Sequence, residues 1–323
     1  MLKGLALTPP AIGRIAIGKV VEKNGKRLPE KDDEFTITSQ VQLKDGWVLH
    51  PVDEVLRKDS SAKLRSIPVR LLFGDPDLSL RAKYTLFERT TGRPLCVGDG
   101  ESCRRVTSSG MQSLPCPAPH ACSLAVAGAC KPYGRLHVRI DAGDSTGNEV
   151  GCDELGSFVF RTTGFNSIRT LLARLHYFHA VSGGLLATLP LELRLRGKST
   201  TMSHRAPIYY VDLTTRTGST LAQAMAQAKE LHEARLAAGM DQAALDEAAR
   251  LGLARGDFEE TEEEGAAVVD EFYAQDDPPP TDPPHSEANG SAAALPRPGL
   301  SSRLGRKLAQ SAQGVQSAAP EHG

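Results

Sequence analysis

No stretch of the 323 residues approaches the roughly 18 consecutive apolar residues that a membrane-spanning helix needs, which excludes a helical membrane protein. Residues 1–10 hold an apolar run too short for the core of a secretory signal, and Pro9 and Pro10 end it. The expected compartment is therefore the cytoplasm. No internal repeat is visible. Net charge is nearly absent too, at -1, but the near-zero total hides a separation. Up to Thr220 there are 30 Lys and Arg against 21 Asp and Glu; from Leu221 onward there are 8 against 18. A basic body with an acidic extension suits a protein that works near DNA or a DNA-bound partner, although ordinary surface lysines and a solvated tail would give the same balance.

Several catalytic signatures start and then fail. Gly197-Lys198-Ser199-Thr200 ends like a phosphate-binding loop, yet the position that needs the leading glycine is Glu192, on an apparent strand. His232-Glu233 opens like a zincin, but Leu236 stands where the second histidine belongs. His204 beside Ser203 has no nucleophile elbow around it. His176 and His179 share a helix face, with Tyr177 and Phe178 between them, and read as a surface and an edge residue. Arg169, Arg174, Arg194, Arg196, Lys198 and Arg205 crowd one region, where an ordinary solvated face competes with a phosphate- or partner-facing one. No catalytic residue is assigned.

The patterning predicts an α+β body over residues 1–215, a mostly antiparallel sheet with one packed helix. Residues 34–41, 67–73, 80–87, 135–140, 156–161, 189–195 and 208–213 read as strands. Ile168, Leu171, Leu172, Leu175, Phe178 and Val181 define the helix, which Asn166 or Ser167 caps and Gly183-Gly184 stops. Residues 216–256 read as an alanine-rich helical extension with a thin apolar face. Residues 257–323 read as an acidic, Pro-rich, disordered tail whose removal leaves the body folded.

The most informative feature is a cluster: five of the six cysteines fall between Cys96 and Cys130, spaced Cys96-x6-Cys103-x12-Cys116-x5-Cys122-x7-Cys130. The surrounding 94–134 stretch breaks the strand pattern and has little apolar periodicity, and a structural zinc folds such a stretch without a core. Gly98, Gly100, Gly110, Gly128, Pro115, Pro117 and Pro119 permit the turns of a knuckle. The preferred ligands are Cys96, Cys116, Cys122 and Cys130, with Cys103 and His120 as alternates. Four thiolates close the coordination shell, which makes the metal structural and not catalytic. The gaps match no standard zinc template, and scattered reduced thiols or disulfides are the competing readings. Cys152 lies apart and reads as a core residue.

That cysteine stretch, followed by Lys131-Pro132-Tyr133-Gly134-Arg135-Leu136 and then by Gly156-Ser157-Phe158-Val159-Phe160-Arg161-Thr162-Thr163-Gly164-Phe165-Asn166-Ser167-Ile168, resembles the recombination directionality factor-like proteins of phages and prophages that use large serine integrases. The resemblance spans residues 1–213, including Gly13-Arg14-Ile15 and Pro207-Ile208. It implies a non-enzymatic accessory protein of a bacterial host cell that binds the integrase on attachment-site DNA and favours excision, with the cysteines holding a knuckle. Some bacterial relatives are labelled hydrolase or metal-binding protein, so a metal-dependent hydrolase is the runner-up. A DNA-binding protein of plasmid maintenance is a third reading.

Overall fold

The computed structural model describes residues 10–23, 26–43, 46–57, 62–142, 156–199 and 207–253, with single positions 59, 201, 265, 268, 269 and 272. Cys152, His204, Arg205 and the expected disorder from residue 276 onward lie outside the described residues. The chain divides into two units, Met1–Asp277 and Pro278–Gly323. Among the described residues of the first, twelve strands run in chain order: β1 (Ala11–Lys23), β2 (Lys26–Leu43), β3 (Gly46–Leu49), β4 (Ser66–Leu71), β5 (Leu80–Phe87), β6 (Pro94–Gly98), β7 (Ser102–Thr107), β8 (Gly110–Pro115), β9 (Cys130–Ile140), β10 (Ser157–Thr162), β11 (Leu191–Lys198) and β12 (Ile208–Thr215). Among the described residues six α-helices interleave with them: α1 (Pro51–Arg57), α2 (Pro76–Ser79), α3 (Ala118–Ala121), α4 (Phe165–Val181), α5 (Leu221–Ala237) and α6 (Gln242–Leu253). Among the described residues no helix is long and apolar enough to cross a membrane.

All strands join one mixed sheet, antiparallel except where β1 pairs with β10. The order β3-β2-β1-β10 leads to β9, and there the sheet forks. The first half of β9 pairs with β5, from Leu80↔Leu136 to Leu86↔Cys130, and that branch continues through β6 and β7 to β8. The second half pairs with β4, through Val69↔Ile140 and Leu71↔Val138, and that branch continues to β11 and β12. A strand of 11 residues is long enough to hold two neighbours in succession along one edge.

Side chains of a strand alternate between faces, and β9 shows what each face is for. Leu136, Val138 and Ile140 are buried; Arg135, His137 and Arg139 point the other way. The buried face gathers Ile15, Ile37, Phe35, Phe158, Phe160 and Leu80 under Leu171, Leu175 and Phe178 of α4. Gly13 serves this packing: a Cβ there would lie 2.6 Å from the Phe158 ring, which occupies the space. Glycines at φ 65° and 87°, Gly183 and Gly184, end α4, as the sequence indicates. Its start differs from the expectation. The N-cap is Gly164, because the Ser167 hydroxyl accepts a hydrogen bond from the Val211 amide (3.1 Å) and Asn166 accepts one from Lys198 (2.7 Å).

The fold also corrects the expectation of one packed helix. Ala224 and Ala228 of α5 are fully buried in the main core, and Ala249 of α6 is buried with Phe73 and Leu78. Small side chains let these helices approach closely, so a thin apolar face still packs. A Thr220–Gln223 capping box starts α5, and Asp246 fastens α6 by accepting from the Gly74 amide (2.9 Å). The 94–134 stretch, read as strandless, instead supplies β6, β7, β8 and the start of β9.

One buried ionic cluster ties α1 to β2. Asp53 accepts from the Ile37 amide (2.8 Å), and Arg57 bridges Asp53, Glu34 and the Phe35 carbonyl. Burial alone would raise the Glu34 carboxyl, but hydrogen bonds from Arg57 and Lys19 hold it below its ordinary value. A depressed carboxylate contributes stability that is complete above its unfolded value and is lost as pH falls through the folded one. Denaturant titrations from about pH 7 to about pH 3 should therefore show wild type losing stability more steeply than Glu34→Gln. Parallel curves would remove Glu34 from this role.

Candidate functional site

The thiols are brought together by strand register. Leu86 of β5 pairs with Cys96 on one side and with Cys130 on the other, and Cys96 pairs in turn with Arg105. Cys130, Leu86, Cys96 and Arg105 thus form one row across four strands, on one face. Cys103 pairs with Gly98, two residues beyond Cys96, so it shares that face. After β8 the chain folds back, the Cys116 amide donating to the Glu101 carbonyl (2.8 Å). This places the Cys116 sulfur over Gly98: a Cβ on Gly98 would lie 2.9 Å from it and 2.7 Å from the Cys103 Cβ. Cys122 follows α3, and its carbonyl accepts from the Ala125 amide (3.1 Å).

The five thiols lie within electrostatic reach of one another. Burial first, then a hydrogen bond with Cys96, pushes the Cys103 thiol up to about 11. Burial pushes Cys130 up to about 12, with Cys96, Cys116, Cys122 and Cys103 adding to it. The Arg105 guanidinium bonds to Cys96 and lies 3.9 Å from the Cys103 sulfur. Cys103, an alternate in the sequence reading, stands among the other four, whereas His120 is exposed on α3. Among the described residues, no three His, Cys, Asp or Glu side chains stand in metal-holding geometry. The donor chemistry, all sulfur, suits zinc, but the thiols are gathered without being closed around a point.

The opposite face of the same sheet is cationic. Arg81 of β5, Arg135 of β9 and Arg161 of β10 are register partners, so three guanidinium side chains sit side by side across about 10 Å, two strand spacings. Lys83, Lys131 and Arg139 continue the face, by alternation, along β5 and β9. His137 reports the field: burial first, then Arg135, Arg161 and Arg81, holds its imidazole down to about 3 and therefore neutral. At one end Asp141 pairs with both Arg70 and Arg216.

An apolar island interrupts this face. Phe87 and Tyr133 pack edge-to-face with Phe272, at ring distances of 4.8 and 5.8 Å, and Val268 joins them. Lys131 donates to the Phe272 carbonyl (3.3 Å). Gly92, at φ 69°, abuts Gly265 so closely that a Cβ on Gly92 would fall 2.2 Å from its backbone. Four positions assigned by sequence to the tail, Gly265, Val268, Val269 and Phe272, are thus seated against the sheet.

The basic cluster singled out by sequence is largely internal pairing. Arg174 and Arg196 both meet Asp212, and Arg194 meets Glu192 and Thr217. His179 bonds the Gly74 carbonyl (2.9 Å) and His176 lies 3.9 Å from Asp77, so the two face separate partners. Glu192, Gly197 and Lys198 belong to the extended strand β11 and not to a phosphate-binding turn. The cationic row escaped because its members lie up to 80 residues apart. The signal that would have found it is cations at every second position, as at Arg81 and Lys83 or Arg135 and Arg139.

The forked sheet thus carries cations on one face of its trunk and gathers thiols on one arm. A family model described as Gp3-like, recombination directionality factor-like, matches residues 12–216, from the second residue of β1 to just past β12. The chain belongs to that family, a non-enzymatic accessory class with a recombination-related role. No curated protein and no solved structure matches it.

Proposed function

We propose that the protein binds a large serine integrase on attachment-site DNA and biases recombination toward excision. The observation that carries this reading is the family match over residues 12–216. Direction needs no catalysis by the accessory protein: it need only bind one integrase–DNA arrangement better than another. Turning a 1:99 preference into 99:1 takes a differential of about 5.5 kcal/mol, within reach of one well-packed interface. The cationic sheet face suits a partner that is itself DNA-bound.

In this reading the arm is held by one structural zinc, with Cys96, Cys116, Cys122 and Cys130 as ligands and Cys103 as the alternate. Arg105 beside Cys96 offsets the negative charge that four thiolates bring to such a site. Ala118, between Pro117 and Pro119, sits at φ 58°, a left-handed conformation that costs an alanine about 1–2 kcal/mol and that a ligated loop would sustain.

The test is recombination in vitro with the cognate integrase, scoring excisive and integrative substrates with and without this protein. Excision should appear only when it is present. Unchanged direction at saturating protein would overturn the proposal.

A further inference from the structure

The end of the sheet where β4 meets β9 carries an inference independent of the integrase reading. We propose that Arg70, Arg139, Arg216 and Arg235, gathered around Asp141, form a binding site for inorganic phosphate.

Strand register builds the floor of the site. Arg70 of β4 and Arg139 of β9 are register partners, and the pairs on either side of them, Val69↔Ile140 and Leu71↔Val138, belong to the core. Alternation therefore puts both arginines on the opposite face, one strand spacing of about 5 Å apart. Asp141 continues β9, its amide donating to the Pro68 carbonyl (3.0 Å). Its carboxylate accepts from Arg70 Nε (2.7 Å) and from Arg216, just past β12. Arg235 comes from α5 and donates to the Ala187 carbonyl (3.4 Å). Burial first, then Arg139 and Arg70, holds its guanidinium below its ordinary value, while Asp141 acts in the other direction.

Four guanidinium groups thus share one carboxylate, and the positive charge left over suits an anion. Glu192 does not balance it, being bound by Arg194 and Thr217. Among the described residues Arg139 has no ion pair or side-chain hydrogen bond, and Asp141 is the only polar partner of the Arg216 side chain, whose Nε has none. A guanidinium carries five donors, so Arg70 and Arg216 can serve the carboxylate and an oxyanion together. Their side chains are 28% and 30% exposed and that of Asp141 is 20% exposed, so an ion can reach them from solvent.

The acid within the site chooses among anions. An ionised carboxylate only accepts hydrogen bonds. Hydrogen phosphate keeps one P–OH, which can donate to Asp141 while its other oxygens accept from the arginines. Sulfate, a dianionic phosphate ester and a nucleic-acid diester have no such proton and would set bare oxygen against the carboxylate. The site also crosses the family boundary: Arg70, Arg139 and Arg216 lie within the matched residues 12–216, and Arg235 lies beyond them on α5. A bound phosphate would tie α5, whose buried residues are Ala224 and Ala228, to the sheet.

The experiment is isothermal titration of the full chain with inorganic phosphate at neutral pH and fixed ionic strength, without integrase or DNA, so this proposal and the integrase reading can fail separately. One phosphate should bind per chain, and amide exchange in α5 should slow when it does. Arg139→Gln should weaken binding roughly ten- to hundredfold, the worth of a charge-assisted hydrogen bond. That variant breaks no ion pair or hydrogen bond within the protein, so its thermal transition without phosphate should stay at or above that of wild type. Sulfate should bind roughly tenfold more weakly than phosphate, and Asp141→Asn should close the gap. Absence of saturable binding, indifference to Arg139→Gln, equal affinity for sulfate, or adenosine monophosphate bound more tightly than phosphate would each overturn the proposal.

Discussion

With one structural zinc in the arm, as proposed, replacing Cys130 by serine is expected to remove the metal and unfold the β6–β8 arm while the core under α4 stays intact. The arm has little else to hold it. β8 is exposed along nearly its whole length, and Val106 of β7 and Met111 of β8 are more than 40% exposed. A structural zinc in a small domain contributes about 10–16 kcal/mol of apparent folding free energy, and a serine hydroxyl is a poor substitute for a thiolate. Native mass spectrometry should show one zinc in wild type and none in Cys130→Ser. Hydrogen exchange should lose protection in β6 to β8 but keep it in β10 and α4. Cys103→Ser is the discriminating control, because metal retained there assigns the four ligands as Cys96, Cys116, Cys122 and Cys130. A wild-type protein purified without zinc, yet with a protected arm, would end the metal proposal.

Half-burial decides what a sequence shows. The strand read at 67–73 overlaps β4, where Ile67, Val69 and Leu71 are buried and the residues between them are less so, which writes a period of two into the residues. β7 and β8 are just as regular in hydrogen bonding, but they lie at the end of one branch with little packed on either face, so no alternation marks them. The family match required only the residues themselves, and the cysteine spacing drew attention to a segment whose thiols the fold gathers. What the spacing could not show is the geometry: that Cys96 and Cys130 flank Leu86, and that Cys103 joins them, depends on the register of β5 with two strands distant in sequence. The fork at β9 was hidden for the same reason. Alanine misled in the other direction, since Ala224, Ala228 and Ala249 bury completely while adding little to hydrophobic periodicity.

Cutting the chain after Gly256 should destabilise the body, whereas cutting after Asp277 should not. Composition alone places both cuts in an acidic tail, and on that basis both would be harmless. The structure separates them, because Phe272 is 1% exposed and Val268 is fully buried, and together they cover Phe87 and Tyr133. The shorter chain loses a buried phenylalanine and a buried valine and leaves two aromatic rings open to water. Deleting a buried phenylalanine side chain alone costs about 3–5 kcal/mol. In a domain of this size that corresponds to a fall in Tm of roughly 10 °C. Phe272→Ala in the full chain isolates the share of the loss that belongs to the ring. Scanning calorimetry of the three proteins gives the answer, and equal transitions for both truncations would mean that the Phe87–Tyr133–Phe272 cluster holds nothing in solution.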